Sequence, residues 1–292
     1  RFQGKGRYTS FTYPQYGGGV VLDGGVLSLS KIGRILIRLH RPLRGTPKTV
    51  TISREADGWY ACISCAEVPT EPLPLTSNET GIDVGLKVFL VTADGESIEN
   101  PRHHRRAEKG LQKAQHRVSR RKKGSKRWWK AVGQCAKKYQ TVKRQRSDFH
   151  HKTALSLVRA YDVIHLEDLQ IRNLSRRPQA KPDGNGSYLH NGAAHKAGLS
   201  KSIQDAGWHA FRCILTCKAA WAGKRVEAIP PAFTTQDCSG CGERVYKSLS
   251  VRTHVCPSCG LILDRDENAA VNILRAGQAH QARTWPAGAS VA

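Results

Sequence analysis

Apolar and polar residues alternate in short runs along the first third of the chain and give way to helical spacing further on. Val20–Leu22 and Val26–Leu29 flank Asp23-Gly24-Gly25, a tight-hairpin signal. Ile35, Ile37 and Leu39 alternate with Arg34, Leu36 and Arg38. Val50 and Ile52 lead through Asp57-Gly58 into Trp59-Tyr60-Ala61-Cys62-Ile63, a second hairpin. Short strands at close spacing predict a small all-β barrel or sandwich over residues 1–75. Pro69–Thr76 holds three prolines in eight residues and reads as a linker. Residues 81–100 read as a three-stranded meander, in which Ile82, Val84 and Leu86 alternate with Asp83, Gly85 and Lys87.

From residue 102 the period changes. Leu111, Ala114, Val118, Trp128, Val132, Ala136 and Tyr139 recur at helical spacing, interrupted at Gly124-Ser125. This predicts two long helices, the second running on through Ala154–Ala160. Tyr161–Leu166 is an apolar strand that ends in Glu167-Asp168. The polar stretch 172–200 predicts a mobile loop or lid, and Ser200 is expected to cap an amphipathic helix carrying Ile203, Ala206, Trp208, Phe211, Ile214, Leu215 and Ala219. Lys224–Ile229 reads as a strand, the run NAAVNILRAG as a helix, and the Ala/Gly/Gln-rich chain from Gly277 on as disordered. Meander, helix, strand, helix, strand, helix is the element order of an α/β sheet of RNase H-like type.

Charge sharpens the picture. The 292 residues carry 47 Lys and Arg against 23 Asp and Glu, a net +24. Residues 102–152 hold 19 of the cations, opposed only by Glu108 and Asp148. A charge run is ordinarily a solvated helix face, but here few acidic partners offset the repulsion, and phosphate contacts would relieve it. Nucleic acid is therefore the expected partner. Trp128 and Trp129 could stack on bases or pack in a core. Arg34, Arg38, Arg41, Arg44 and Lys48 allow a second nucleic-acid face or are plain strand-edge charges. No apolar run approaches the roughly 20 residues of a membrane span, so no membrane partner is expected. Nine cysteines, four of them in metal spacing, suit a reducing cytosol. The chain has no Met and opens on Arg1, so an N-terminal portion is expected to be missing, removed or carried on a second chain.

Two Cys-x-x-Cys knuckles, Cys238/Cys241 and Cys256/Cys259, are separated by fourteen residues. Each pair can bite one metal from a single turn, and four soft ligands suit tetrahedral Zn²⁺. Cys62 and Cys65 repeat the spacing inside a strand without a second pair, and read as core or edge residues. His254 is at most an additional donor beside the zinc. Asp264 and Asp266 follow the second knuckle at the mouth of a helix, where an acid is either a solvated cap or one carboxylate of a metal site. Asp83, amid apolar strand residues, is costly unless paired or bound to metal. Asp83, Glu167 and Asp266 together could hold two hard Mg²⁺ or Mn²⁺ ions about 4 Å apart, as in two-metal phosphodiester hydrolysis.

GIDVGL, HLEDL, LSKSIQDAGWHAF and CSGCG…CPSCG followed by LDRDENAAVNIL resemble the RuvC nuclease domain of TnpB, the RNA-guided nuclease of insertion sequences, and the compact type V CRISPR effectors. The resemblance runs in order over residues 81–275. It implies Asp83, Glu167 and Asp266 as the catalytic triad, the last chosen over Asp264 by the D-x-N-A pattern at Asp266-Glu267-Asn268. It implies Cys238, Cys241, Cys256 and Cys259 as zinc ligands. It further implies a guide RNA as cofactor and a target DNA, as heteroduplex and displaced strand, as partner. Residues 1–78 resemble the end of a wedge barrel; 79–237 would be the RNase H-like domain with a basic insertion at 102–160. Residues 238–260 would be the zinc ribbon, 261–276 the rest of the nuclease domain and 277–292 a flexible tail. The helical recognition part that such a barrel normally carries is not visible. The resemblance implies a cytoplasmic, nucleoid-associated enzyme of a prokaryotic cell. Two alternatives stand beside it: RNA-guided DNA binding without cleavage, and a zinc-ribbon protein that protects or processes its own guide. A DNA transposase fits less well, since a ribbon ahead of the last acid is not part of that chemistry.

Overall fold

A computed structural model describes residues 8–248 and 250–284. The chain divides into two compact units, residues 1–70 with 109–141, and residues 71–108 with 142–292.

The first unit opens with six antiparallel strands, β1 (Ser10–Tyr13), β2 (Val20–Asp23), β3 (Val26–Leu29), β4 (Gly33–Leu36), β5 (Thr46–Arg54) and β6 (Trp59–Ala66). They form two three-stranded sheets, β1-β5-β6 and β2-β3-β4. Val20, Leu27 and Leu29 of one sheet bury against Val50 and Ile52 of the other. Both predicted hairpins form. Gly24 and Gly25, at φ 51° and 88°, supply the left-handed backbone that a two-residue turn between β2 and β3 demands. The alternation read through to Leu39 is not realised: β4 stops at Leu36, and Ile35 and Leu36 are exposed rather than core. Cys62 and Cys65 lie in β6, away from any metal-binding set.

The second unit holds the mixed sheet. After the irregular linker come β7 (Glu79–Val84), β8 (Val88–Thr92) and β9 (Ser97–Glu99), the predicted meander. Two helices follow, α1 (His103–Ser119) and α2 (Lys126–Ala160), and both run from one unit into the other. α1 has no acid in its own first turn. Asp205 supplies one from afar, accepting the backbone N–H of His104 at 2.8 Å and of Arg105 at 3.1 Å. Next come β10 (Val163–Glu167), α3 (Ile171–Leu174), the two-residue strands β11 (Lys181–Pro182) and β12 (Tyr188–Leu189), α4 (Ala193–Ala206), α5 (Trp208–Trp221) and β13 (Arg225–Ile229). The last elements are β14 (Thr253–Val255), β15 (Ile262–Asp264) and α6 (Arg265–Thr284).

The sheet order is β13-β10-β7-β8-β9. β13, β10 and β7 are parallel, and β8 and β9 complete it antiparallel. On one face Ile82, Phe89, Ile164 and Leu166 pack with Leu157 and Val158 of α2 and Phe211 and Leu215 of α5. α6 covers the other face so closely that a Cβ on Gly81 would lie 2.2 Å from the carbonyl O of Ala270 and 2.4 Å from the N of Leu274.

Three expectations are corrected. The stretch 172–200 is not one loop, since it contains α3, the β11–β12 ladder and half of α4. Ser200 lies inside α4, whose cap is Gly192, and the expected single helix breaks at Gly207 (φ 68°), where His150 and Arg146 crowd the backbone. The chain from Gly277 to Thr284 continues α6 instead of fraying, and residues 285–292 of the expected tail lie outside the described residues.

Gly81→Ala is expected to lower stability by about 1–3 kcal/mol, because the clashing atoms are helix backbone and cannot swing aside. A thermal or urea midpoint equal to that of the unmodified chain would contradict the close approach of α6.

Candidate active site and metal clip

β-strand alternation decides where the acids point. Gly81 faces α6, and His165 faces Gly277 of α6, where an added Cβ would come within 2.1 Å of Nδ1. Two residues on in each strand, Asp83 and Glu167 therefore face the same side. They stand at the C-terminal ends of adjacent parallel strands, just past the Ile82–Leu166 pair. α6 runs back along β7, from Asp266 near Gly85 to Gln278 near Glu79. A Cβ on Gly85 would be 4.0 Å from Oδ2 of Asp266. The fold thus brings all three sequence-selected acids to one end of one sheet face.

Their mutual influence is visible in Asp83. Burial, then the charges of Glu167 and Asp266, push its carboxyl up to about 8, against a smaller opposing effect of Arg265. Burial also raises Glu167, opposed by the Thr234 hydroxyl, which donates to Oε1 at 2.5 Å. Asp266 is held by Arg265 (Nη2 to Oδ1 3.2 Å) and Arg252 (Nη1 to Oδ2 3.4 Å). Among the described residues, the four cysteines are the group of possible ligands whose atoms all lie within 4.8 Å of one another. Asp264 takes the capping role: its Oδ1 accepts the N–H of Asp266 at 2.8 Å. Beside Glu167 a cleft is walled by Val84, Leu169, Ile171, Trp208 and Arg212, and Arg212 is paired to Asp168 at 2.5 Å.

Cys238, Cys241, Cys256 and Cys259 form the metal clip. Cys238 and Cys259 sulfurs are 3.6 Å apart, as are those of Cys241 and Cys256. A tetrahedral Zn²⁺ with bonds of about 2.3 Å needs sulfurs about 3.8 Å apart, so the thiols fit that ion. Backbone N–H groups of Cys259 and Ser258 pull the Cys256 thiol down to about 6, whereas Cys241 is pushed up to about 12, its bond from the Glu243 backbone outweighed by hydrogen bonding to Cys256 and by burial. His254 is buried and meets Lys247 rather than the sulfurs.

Two asparagines, Asn268, which the sequence reading used only as a motif marker, and Asn272, which it gave no role, tie the clip to α6. Asn268, fully buried, accepts the Ser239 N–H at 2.9 Å and donates to the Asp237 carbonyl at 2.9 Å. Asn272 donates to the carbonyls of Thr234 and Asp237 at 2.9 and 2.6 Å. Their spacing of four puts both amides on one helix face, a signal that was present in the sequence. Thr234, Arg252 and Arg265 were also missed; each lies far in sequence from the acid it contacts or carried no motif of its own.

Residues 208–273, spanning α5, β13, the clip and the start of α6, match a family described as Cas12f1-like, TNB domain. The protein is thus an α/β protein carrying a domain of that class. Residues 63–177 match the OrfB_IS605 family, described as Probable transposase. A Streptomyces pristinaespiralis protein is 38% identical over 88% of this chain and 60% of its own length. An Escherichia coli K12 protein is 32% identical over 96% of this chain and 68% of its own length. Both carry the name "Putative RNA-guided DNA endonuclease", the second with the suffix InsQ. The chain belongs to this TnpB/InsQ family. It spans about three-fifths to two-thirds of those relatives. A solved Cas12f1–sgRNA–target DNA complex is 15% identical over 91% of this chain and 66% of that one, at a TM-score of 0.46.

The purified protein is expected to contain about one zinc per chain. Cys256→Ser should lose it and lower the melting temperature; full zinc content in that variant would contradict the clip.

Proposed function

We propose that this chain carries the catalytic portion of an RNA-guided DNA endonuclease, a RuvC-type enzyme that hydrolyses phosphodiesters with divalent metal ions. The observation that carries the reading is the convergence of Asp83, Glu167 and Asp266 at one end of one sheet face, where Glu167 and Asp266 add to burial in raising the Asp83 carboxyl. A cluster of half-buried acids, two at the ends of parallel strands and one in the first turn of α6, is electrostatically unfavourable by itself and fits a hard cation, because oxygen ligands and negative charge are what Mg²⁺ and Mn²⁺ select. The strand order and the C-terminal position of Asp83 and Glu167 support an RNase H-like sheet.

Asp83, Glu167 and Asp266 would hold the ions. When bound, these supply ionisation of the attacking water and charge stabilisation at the leaving 3′ oxygen. Asp83 must give up its proton for ligation, which an adjacent dication favours. Thr234 fixes the rotamer of Glu167 through its 2.5 Å hydrogen bond. Arg252 and Arg265 hold Asp266 near the sheet and add positive charge where a phosphate would approach. The zinc clip, through Asn268 and Asn272, fixes the start of α6 and hence Asp266.

Substrate and partners follow from charge and kinship. The cations of 102–152 give the electrostatic grip expected for a guide RNA–DNA heteroduplex, in which base pairing, not the protein, reads the sequence. The strands of residues 1–78 would be the wedge part of that grip. The same carboxylates could serve a strand transfer with a DNA 3′-hydroxyl as nucleophile, and the products separate the two reactions.

With a matched guide RNA and Mg²⁺, the protein is expected to cut target DNA to free ends without joined products. Asp83→Ala and Glu167→Ala should each lower the rate by at least about a thousand-fold while guide RNA binding is kept. Cutting by both variants at the unmodified rate would end the nuclease reading.

A further inference from the structure

Phe233 precedes Thr234, the residue whose hydroxyl holds Glu167. Its backbone is left-handed, at φ 65°, a conformation that bulky residues rarely adopt. The turn imposes it: Phe233 O accepts the N–H of Gln236 at 2.8 Å and of Asp237 at 2.9 Å, and Asn272 of α6 anchors the next carbonyl at 2.9 Å. Strain of this kind persists where the surroundings over-determine it, and it clusters at functional positions. Burial does not offset it, since Phe233 is 49% exposed.

The ring is nevertheless held. The Arg244 guanidinium carbon lies 3.6 Å from the ring centroid. Asp237 fixes that guanidinium in turn, accepting from Nε at 2.8 Å and Nη2 at 3.5 Å. An exposed aromatic ring is thus set rigidly one residue from the partner of Glu167, with a cation against it. Rigid aromatics beside positive charge are how proteins hold unpaired bases, since every base offers a π face.

We propose that Phe233 is a stacking platform for one base of the single DNA strand that enters the carboxylate cluster, with Arg244 and Asp237 as positioning residues for its ring. The inference rests on the proposed function for the identity of the strand. Stacking orders the strand beside Glu167 without reading its sequence.

Binding of single-stranded DNA carrying one 2-aminopurine tests this in the absence of divalent cations, so nothing is cut. The unmodified protein should quench the 2-aminopurine at one register, and Phe233→Tyr should do the same. Phe233→Gly should lose the quenching and weaken binding about five- to hundred-fold, the range of one base–aromatic stack. Its melting temperature should hold or rise, because glycine prefers the left-handed backbone. A folded Phe233→Gly that binds and quenches like the unmodified protein would overturn the proposal. A second arm needs no variant: an abasic site moved along the strand should weaken binding at one position, and a uniform response would equally overturn it. Neither arm depends on cleavage, so a chain that stacks DNA but never cuts would sink the nuclease reading alone, and one that cuts without stacking would sink this one alone.

Discussion

The close backbone approach of α6 to β7 at Gly81 is the constraint on which the rest depends. With a hydrogen in place of a side chain, the helix lies directly on the strand, and Gly277 repeats the arrangement against His165. A helix held that near cannot slide or rotate freely, so its first turn comes to a defined place beside the C-terminal ends of β7 and β10. Asp266 sits in that turn and thereby joins Asp83 and Glu167, which the parallel register of two neighbouring strands had already made adjacent. Residues spread over most of the chain are gathered by one close backbone approach at Gly81, by strand register and by a helix glycine seated on the His165 ring.

The clip acts on the same helix from its other side. Four thiols spaced for one tetrahedral metal organise a small subdomain that has little apolar core of its own. Asn268 and Asn272 carry that rigidity into α6 through hydrogen bonds to the backbone just before and within the first knuckle. The electrostatics explain why such bracing is needed. Burial first, and then repulsion from Glu167 and Asp266, raise the Asp83 carboxyl to about 8, so the charged cluster is unfavourable by itself. Thr234, Arg252 and Arg265 oppose it locally, each held by an element that the clip or α6 fixes.

Much of this was legible in the sequence, for identifiable reasons. Period-two alternation located β2, β3, β5 and β6, each with one face toward a core, and the β7–β9 meander was also located although β7 and β8 are covered on both faces. The paired knuckles announced the clip, since their spacing has few other uses. Asp83 stood out as a charge inside an apolar strand. What escaped was set by tertiary contact. Ile35 and Leu36 continue an apolar alternation yet lie exposed, as the pattern reports periodicity and not what is available to cover it. At the Gly207 break, His150 and Arg146 of α2, more than fifty residues away, leave little room for a Cβ. The polar, Ala-rich end of α6 read as disordered because composition does not show that Gly277 fits against His165. The D-x-N-A pattern of the resemblance chose Asp266 over Asp264, and in the structure the Asp266 N–H donates to Asp264 at 2.8 Å, which gives Asp264 the capping role.

The proposed function joins a basic stretch, residues 102–152, with an acidic cluster that would hold divalent ions. The most direct test of that pairing is the binding of Mn²⁺ to the zinc-loaded protein, followed by electron paramagnetic resonance. About two bound ions per chain, close enough to couple magnetically, are expected, with binding lost in Asp83→Asn. A protein that takes up no Mn²⁺, or binds it equally well in Asp83→Asn, would contradict a shared cation site at Asp83, Glu167 and Asp266.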